Sequence, residues 1–246
     1  MPSIYLSPST QELNPYIIGG SEEYYMNLLA DALEPYLLEN SISFKRNDRN
    51  QNAVAAIRES NAGDYDLHLA LHSNASPASN AGGTRGIDVY YYPGSVNGQR
   101  GAEIFRDNFK EIYPLPEKVR TLSTTRLGEV RQPKAPSVFL EIGYHDNEDD
   151  AEFIVSNIPE IAKNIAMSLT DYFGIPFKMP TLYEDGKVQL YSGFLNLREE
   201  PSISSKSLAL IPNGTRLSVM NMYNGWYKTN YNGLDGYVNA NYIKID

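Results

Sequence analysis

The sequence predicts an α/β domain built on a mostly parallel, twisted sheet covered by helices on both faces, followed by a small all-β barrel. Three observations carry that expectation. Strand-length apolar runs alternate with segments of helical spacing through the first two thirds of the chain, an order that favours a parallel sheet. After residue 180 the rhythm changes to short strands divided by Asn213-Gly214, Asn224-Gly225 and Asn232-Gly233, and Asn-Gly is the strongest short-range hairpin signal. Between the two regions, Gly174-Ile175-Pro176-Phe177-Lys178-Met179-Pro180 carries the residues that end a helix and stiffen a connection. The expected organisation is residues 1–175, a linker over 176–182, and residues 183–246.

Taken in order, Ile4-Tyr5-Leu6 reads as a strand. Tyr25, Leu28, Leu29, Ala32, Leu33, Tyr36 and Leu37 then recur at helical spacing behind Ser21, a good N-cap. A strand over 41–45, a helix over 53–60 and strands over 66–72 and 86–92 follow. A helix from about residue 98 to 112, a strand over 137–142 and helices over 150–156 and 158–173 complete the domain. In open α/β sheets the ligand crevice lies beyond the carboxyl ends of the strands, which is where chemistry is sought. The last sixty-odd residues leave no room for a nucleophile or metal site and read as a binding module.

Composition narrows the function classes. With 41% hydrophobic and 21% charged residues among 246, the chain is globular in make-up. Its 21 basic against 30 acidic residues give a net charge of −9. Because residues 181–246 hold six of each sign, all of that charge falls on residues 1–180. A nucleic-acid partner is not expected, since backbone binding needs clustered positive charge. An uncharged or cationic substrate suits the balance better. The absence of cysteine removes a disulfide framework, a thiolate nucleophile and any cysteine metal site, so a metal would rest on His and carboxylates. No apolar run is long enough for a membrane span. The first residues lack the basic start and apolar stretch of a signal peptide, so export is expected to use another route.

Few residues are candidates for chemistry. His72 ends the run Asp66-Leu67-His68-Leu69-Ala70-Leu71-His72 at the carboxyl end of a strand. His68 lies four residues earlier, roughly 13 Å back along an extended chain, too far to share one ion with His72, and is read as structural. Glu141 ends the otherwise apolar strand Ser137-Val138-Phe139-Leu140-Glu141, where partial burial raises a carboxyl pKa toward that of a general base. His145 follows in the loop, where a ligand, a proton donor and a solvent-exposed side chain are all open readings. Glu22-Glu23 opens the first long helix, a position the helix dipole favours for acidic residues without any function.

Residues 1 to 175 resemble the N-acetylmuramoyl-L-alanine amidases of the amidase-3 family, zinc enzymes that cut bacterial peptidoglycan. Four motifs carry the resemblance. Glu23 precedes Asn27 by four residues at the start of a helix, Leu71-His72-Ser73-Asn74-Ala75 ends a strand, and Glu141-Ile142-Gly143-Tyr144 is followed by Asn147. Arg58, Ser60, Asn61 and Ala62 reproduce in form the family's Arg-x-x-x-Asn helix. The resemblance implies Glu141 as catalytic residue and Glu23 and His72 as ligands of a zinc ion. The family's first zinc histidine, from the loop after the first strand, has no counterpart between Ser7 and Gly20. Three repairs are open: His145 from the loop after the catalytic Glu, an oxygen of Glu12 or Gln11, or a metal-poor inactive site. His145 is favoured as the third ligand because imidazole is the better zinc donor.

The stretches Leu195 to Ser202, Gly225-Trp226-Tyr227 and Gly236-Tyr237-Val238 resemble the bacterial SH3-like domains attached to cell-wall enzymes. Seven of the nineteen tyrosines, from Tyr183 to Tyr242, fall in this region, where strand propensity and a wall-binding groove both favour them. Together the two resemblances imply zinc-dependent hydrolysis of the bond between N-acetylmuramic acid and L-alanine. Peptidoglycan glycan and stem peptide would be the partners, and the setting the cell wall, reached by secretion or by holin release of an endolysin. The rival readings are an inactive peptidoglycan-binding protein and a related zinc peptidase acting on stem peptides.

Overall fold

The computed structural model describes residues 1–180, 184–223 and 225–245. They divide into two compact units, residues 1–37 with 42–177 and residues 38–41 with 178–246.

The first unit is built on six strands, β1 (Ser3–Pro8), β2 (Ser43–Arg46), β3 (Leu67–Asn74), β4 (Ile87–Tyr91), β5 (Val119–Ser123) and β6 (Ser137–Tyr144). They form one sheet in the order β2-β1-β3-β6-β4-β5. Every neighbouring pair is parallel except β4 with β6, which is antiparallel. The helices are α1 (Glu22–Glu39), α2 (Ala53–Ala62), α3 (Val96–Ile112), α4 (Gly128–Arg131), α5 (Glu148–Ser156) and α6 (Ile158–Phe173). The α/β class and mostly parallel sheet match the sequence expectation. The strand β5 and the four-residue helix α4 are additions that periodicity did not reveal.

Side chains alternate across a strand, so the register sorts the sheet into two faces. On one face lie Ile4, Leu6, Leu67, Leu69, Leu71, Val138, Leu140, Ile142, Ile87 and Val89, all fully buried. They pack with Met26, Leu29 and Leu33 of α1, Phe105 and Phe109 of α3, and Ile161, Ile165 and Leu169 of α6 in one continuous core. Burying each such side chain contributes roughly 1.5–3 kcal/mol. The opposite face carries Tyr5, Ser7, His68, His72, Ser137, Phe139, Glu141 and Asp88, and its Ala70 and Phe139 form a small apolar patch with Val130 of α4.

Local signals set the element ends. The Ser21 hydroxyl accepts the Tyr24 N–H at 3.2 Å and caps α1, as its position predicts. Gly174, at φ +66, stops α6 in the left-handed conformation that glycine adopts without strain.

In the second unit, β7 (Glu184–Val188), β8 (Phe194–Arg198), β9 (Ser207–Pro212), β10 (Arg216–Tyr223), β11 (Trp226–Tyr231), β12 (Leu234–Asn239) and β13 (Ile243–Ile245) pair in an antiparallel sheet. Its core is Val188, Leu195, Leu197, Ile211, Leu217, Val219 and Val238. Asn232 at φ 54 and Gly233 at φ 82 turn β11 into β12, the positive pair a tight hairpin requires. Asn213-Gly214 lies between β9 and β10, while Asn224, Tyr183 and the linker positions 181–182 lie outside the described residues.

Candidate active site

The polar face of the first sheet gathers its ionisable groups at the carboxyl ends of β3 and β6. His72 and Glu141 are register partners on these strands, and Asp88 of β4 is the partner of Glu141 on the other side. Side chains at such positions share a face, so the three meet without help from any loop. The ring of Phe139 stacks on His72 at 4.4 Å between centroids and 14° between planes.

His72 stands between two carboxylates. Its Nδ1 is 2.7 Å from Glu22 Oε1 and its Nε2 is 3.2 Å from Glu129 Oε2. Burial alone would lower the pKa of the ring, but the hydrogen bonds and charges of Glu129 and Glu22 overrule it and push it up to about 10. Conversely, burial raises the Glu22 carboxyl and its bonds to His72 and Asn14 bring it below the ordinary value.

The helix start therefore presents Glu22, not Glu23, to His72. Adjacent helical residues point about 100° apart, so only one of the two can face the sheet. Glu22 is 1% exposed, and its Oε1 also takes the Ser73 N–H at 3.4 Å. Glu23 turns aside: its Oε1 accepts from Asn27 Nδ2 at 3.3 Å and from Arg49 Nε at 2.9 Å. The Glu23 to Asn27 spacing identified in the sequence thus describes a pair within α1 and a link to Arg49.

The loop after β1 brings Gln11 beside His72, with its Nε2 3.4 Å from His72 Nδ1. The direction of that amide is fixed by a chain of bonds. Glu22 Oε2 accepts only, so Asn14 must offer it Nδ2, at 2.6 Å. The same Nδ2 meets Gln11 Oε1 at 3.1 Å, which leaves the NH2 end of Gln11 facing the histidine. Glu12 and Leu13 are exposed.

His145 is buried rather than solvent-exposed. Its Nδ1 lies 3.0 Å from the carbonyl oxygen of Ser73, and its ring stacks on Tyr16 at 5.5 Å. Its own carbonyl accepts the Ile17 N–H at 3.0 Å, so it fastens the loop after β1 to the loop after β6. The expected trio of Glu23, His72 and His145 is not assembled, and among the described residues no three His, Cys, Asp or Glu side chains are placed to hold a metal ion. Glu22 and His72 adjoin as donors of the right chemistry for zinc, and the third neighbour is a carboxamide. An ion between them would break the Glu22–His72 hydrogen bond and require Gln11 to reverse its amide.

Glu141 has the environment of a proton acceptor. Its Oε2 is buried without a hydrogen-bond partner, and burial pushes the carboxyl pKa up to about 8, against the opposing pull of His72. Two residues on, Gly143 at φ +75 turns the strand, and a Cβ there would press on Ile154 and Asp150 at 3.2 and 3.3 Å. The loop between β3 and β4 forms the rim. Asp146 accepts the N–H groups of Ser76 at 2.9 Å and Gly82 at 2.8 Å, and Asn147 Nδ2 donates to the Gly82 carbonyl at 2.7 Å. Of the fourth motif, Asn61 joins α2 to the segment after α4 through Gln132 and Lys134, Ser60 reaches His68, and Arg58 is exposed.

Comparison with known families identifies the class of the first unit. A family model described as N-acetylmuramoyl-L-alanine amidase matches residues 16–171, more than half of the chain. The chain belongs to that amidase family. Its enzyme class is accordingly that of the amidases that act on peptidoglycan. A second model, bacterial SH3 domain, matches residues 193–244. Among solved structures, the amidase AmiC2 of Nostoc punctiforme aligns with TM-score 0.61 at 16% identity, over 70% of this chain and 97% of that one. The catalytic domain of CwlV from Bacillus (Paenibacillus) polymyxa var. colistinus gives 0.61 at 16%, over 72% and 100%. The catalytic domain of the CD27L endolysin targeting Clostridia difficile gives 0.57 at 19%, also over 72% and 100%. At these identities the structures speak for the fold. No curated protein matches the chain.

Asp88 is not singled out by sequence reasoning, and neither is Glu129. Glu129 sits on α4, which is too short to show periodicity, and its only signal was an acidic residue in the middle of Leu127-Gly128-Glu129-Val130.

Proposed function

We propose that the first unit hydrolyses the amide between N-acetylmuramic acid and L-alanine in peptidoglycan, with Glu141 as general base and with Glu22 and His72 as donors to a zinc ion. The observation that carries this reading is the buried, unpartnered Oε2 of Glu141 in register with the His72 strand end. When bound, zinc would supply Lewis acidity to the scissile carbonyl and make a water more acidic. Glu141 takes a proton from the attacking water and delivers it to the departing L-alanine nitrogen, a role its raised pKa suits. Glu22 and His72 would hold the ion, Phe139 stacks on the imidazole, and the covered apolar face keeps the strand ends in register. The second unit is proposed to bind peptidoglycan peptides, with its exposed Tyr191 and Phe194 available as contact surface. The segment 176–182 is proposed as the connection between them. No helix among the described residues is long and apolar enough to cross a membrane, and the wall outside the cell is the proposed setting.

One observation favours the rival of an inactive wall-binding protein, namely the NH2 group that Gln11 offers where the family supplies a histidine. Zinc content of purified protein, together with clearing of a peptidoglycan suspension before and after chelation, decides between them. Zinc uptake with clearing that stops on chelation and returns with zinc is the expected result. Absence of both uptake and clearing establishes the rival.

A further inference from the structure

Four ionisable side chains stand in one row across the first sheet. His72 of β3, Glu141 of β6, Asp88 of β4 and Arg120 of β5 are successive register partners, so all four share the polar face. Two of them, Glu141 and Asp88, are acids set directly opposite each other on antiparallel strands, where Cβ atoms lie about 4.5–5.5 Å apart. Two carboxyls that close do not readily both ionise; left to themselves they keep one proton and share it. Here a cation intervenes. Arg120 Nε donates to Asp88 Oδ1 at 2.8 Å and Arg120 Nη2 donates to Oδ2 at 2.9 Å, while the Tyr144 hydroxyl donates to Oδ2 at 3.3 Å. Both oxygens of Asp88 are thus engaged, and Oε2 of Glu141 is left buried without a partner.

Stability does not account for the pair. The Arg120 side chain is 51% exposed and that of Asp88 2%, so the acid bears the cost of burial while solvent weakens the pull of its cation. Asp88 has a use of its own, as the acceptor that ties Tyr144, close behind Glu141 on β6, to β4 and β5. An acid kept there for that purpose is also a competitor for Glu141. We propose that Arg120 is a positioning residue for Glu141: by occupying both oxygens of Asp88 it prevents the two opposed acids from sharing a proton and leaves Oε2 of Glu141 open to the reaction. A guanidinium suits this task, because its planar fork of N–H groups fixes the direction of a carboxylate, which a lysine ammonium does not. The inference rests on the proposal that Glu141 is the general base.

The test compares the full chain with Arg120→Leu and with the double variant Asp88→Leu/Arg120→Leu at one neutral pH. Two quantities are read: clearing of a peptidoglycan suspension per folded molecule, and the far-downfield proton NMR signal of a proton held between two carboxyls. In Arg120→Leu the signal is expected to appear and clearing to fall about 10²-fold. In the double variant, which lacks the second acid, the signal is expected to vanish and most of the clearing to return. An Arg120 that serves stability alone would lower the thermal midpoint of Arg120→Leu and leave both quantities as in wild type, which overturns the proposal. A folded double variant as slow as the single one overturns it too. Should Arg120→Leu not fold, Arg120→Gln, which keeps one donor group for Asp88 in place of two, is read by the same two measures. A wild-type chain that clears no peptidoglycan overturns the amidase reading instead, and the downfield signal then decides the proton sharing by itself.

Discussion

The two faces of the six-stranded sheet use the same strands for opposite ends. Toward α1, α3 and α6 the strands present aliphatic side chains that share one core. Toward α2 and α4 the same strands present Ser7, His68, His72 and Asp88, whose polar atoms are hydrogen-bonded, and Glu141, whose Oε2 has no partner. Arg120, for example, grips Asp88 through two bonds of 2.8 and 2.9 Å. One face supplies cohesion and the other holds ionisable groups in costly surroundings. Since both faces belong to the same backbone, a polar group is placed as firmly as the aliphatic residue next to it in sequence, and Leu140 beside Glu141 is the clearest case.

That contrast can be broken at several points. The largest effect is expected from Glu141→Gln, which keeps the side-chain volume and removes the base. Clearing of peptidoglycan should fall about 10²–10⁴-fold, while the thermal midpoint holds or rises because a buried, unbonded carboxyl is replaced by a neutral group. Wild-type clearing in this variant would move Glu141 to a structural role. On the opposite face, Leu69→Ala should cost about 2–5 kcal/mol in urea unfolding. The clearing rate per folded molecule should stay near wild type. If Leu69→Ala lowered that rate as much as Glu141→Gln does, the faces would not be separable.

Gln11→His comes next. Returning an imidazole to the loop after β1 supplies the third strong donor, and zinc affinity should rise by at least about tenfold. Affinity unchanged by this substitution would show that the loop does not face the ion. The smallest effect is expected at Glu23. Its partner Arg49 is 55% exposed along the side chain, so Glu23→Gln removes a pair of the kind that contributes about 0–1 kcal/mol. Zinc affinity should hold within about twofold, whereas Glu22→Gln should abolish tight binding. The reverse outcome in calorimetric titration would restore Glu23 as the ligand.

Much of this arrangement was legible in the sequence because it rests on periodicity. The α1 stripe, the strand ending in His72 and the lone carboxylate of β6 all announce themselves by spacing and by chemical contrast. Rotation at a helix start does not. The pairing of Glu23 with Asn27 is a true one, yet which of two adjacent acids faces the sheet depends on how the loop from Asn14 to Ser21 enters the helix. The polarity of Gln11 depends on Asn14 and Glu22 together, a three-residue chain of donors and acceptors that no single spacing encodes. His145 follows an apolar strand in a loop, where sequence leaves ligand, proton donor and exposed side chain all open. Its burial comes from Tyr16 and from the Ile17 bond, contacts distant in sequence. Four residues of α4 carry too little pattern to be seen, and Glu129 was lost with them.

The reversed direction of β4 has a consequence for how this fold can diversify. Because β4 runs against β6, the connection from β3 to β4 begins and ends at the same edge of the sheet, with no return path beneath it. It is a border piece, fastened at Ser76 and Gly82 by Asp146 and otherwise mostly exposed. Insertions or deletions between those two anchors would reshape this border while His72 and Glu141 stay in register on their strands. Change in the length of this border is therefore separable from change in the side chains that the strands hold.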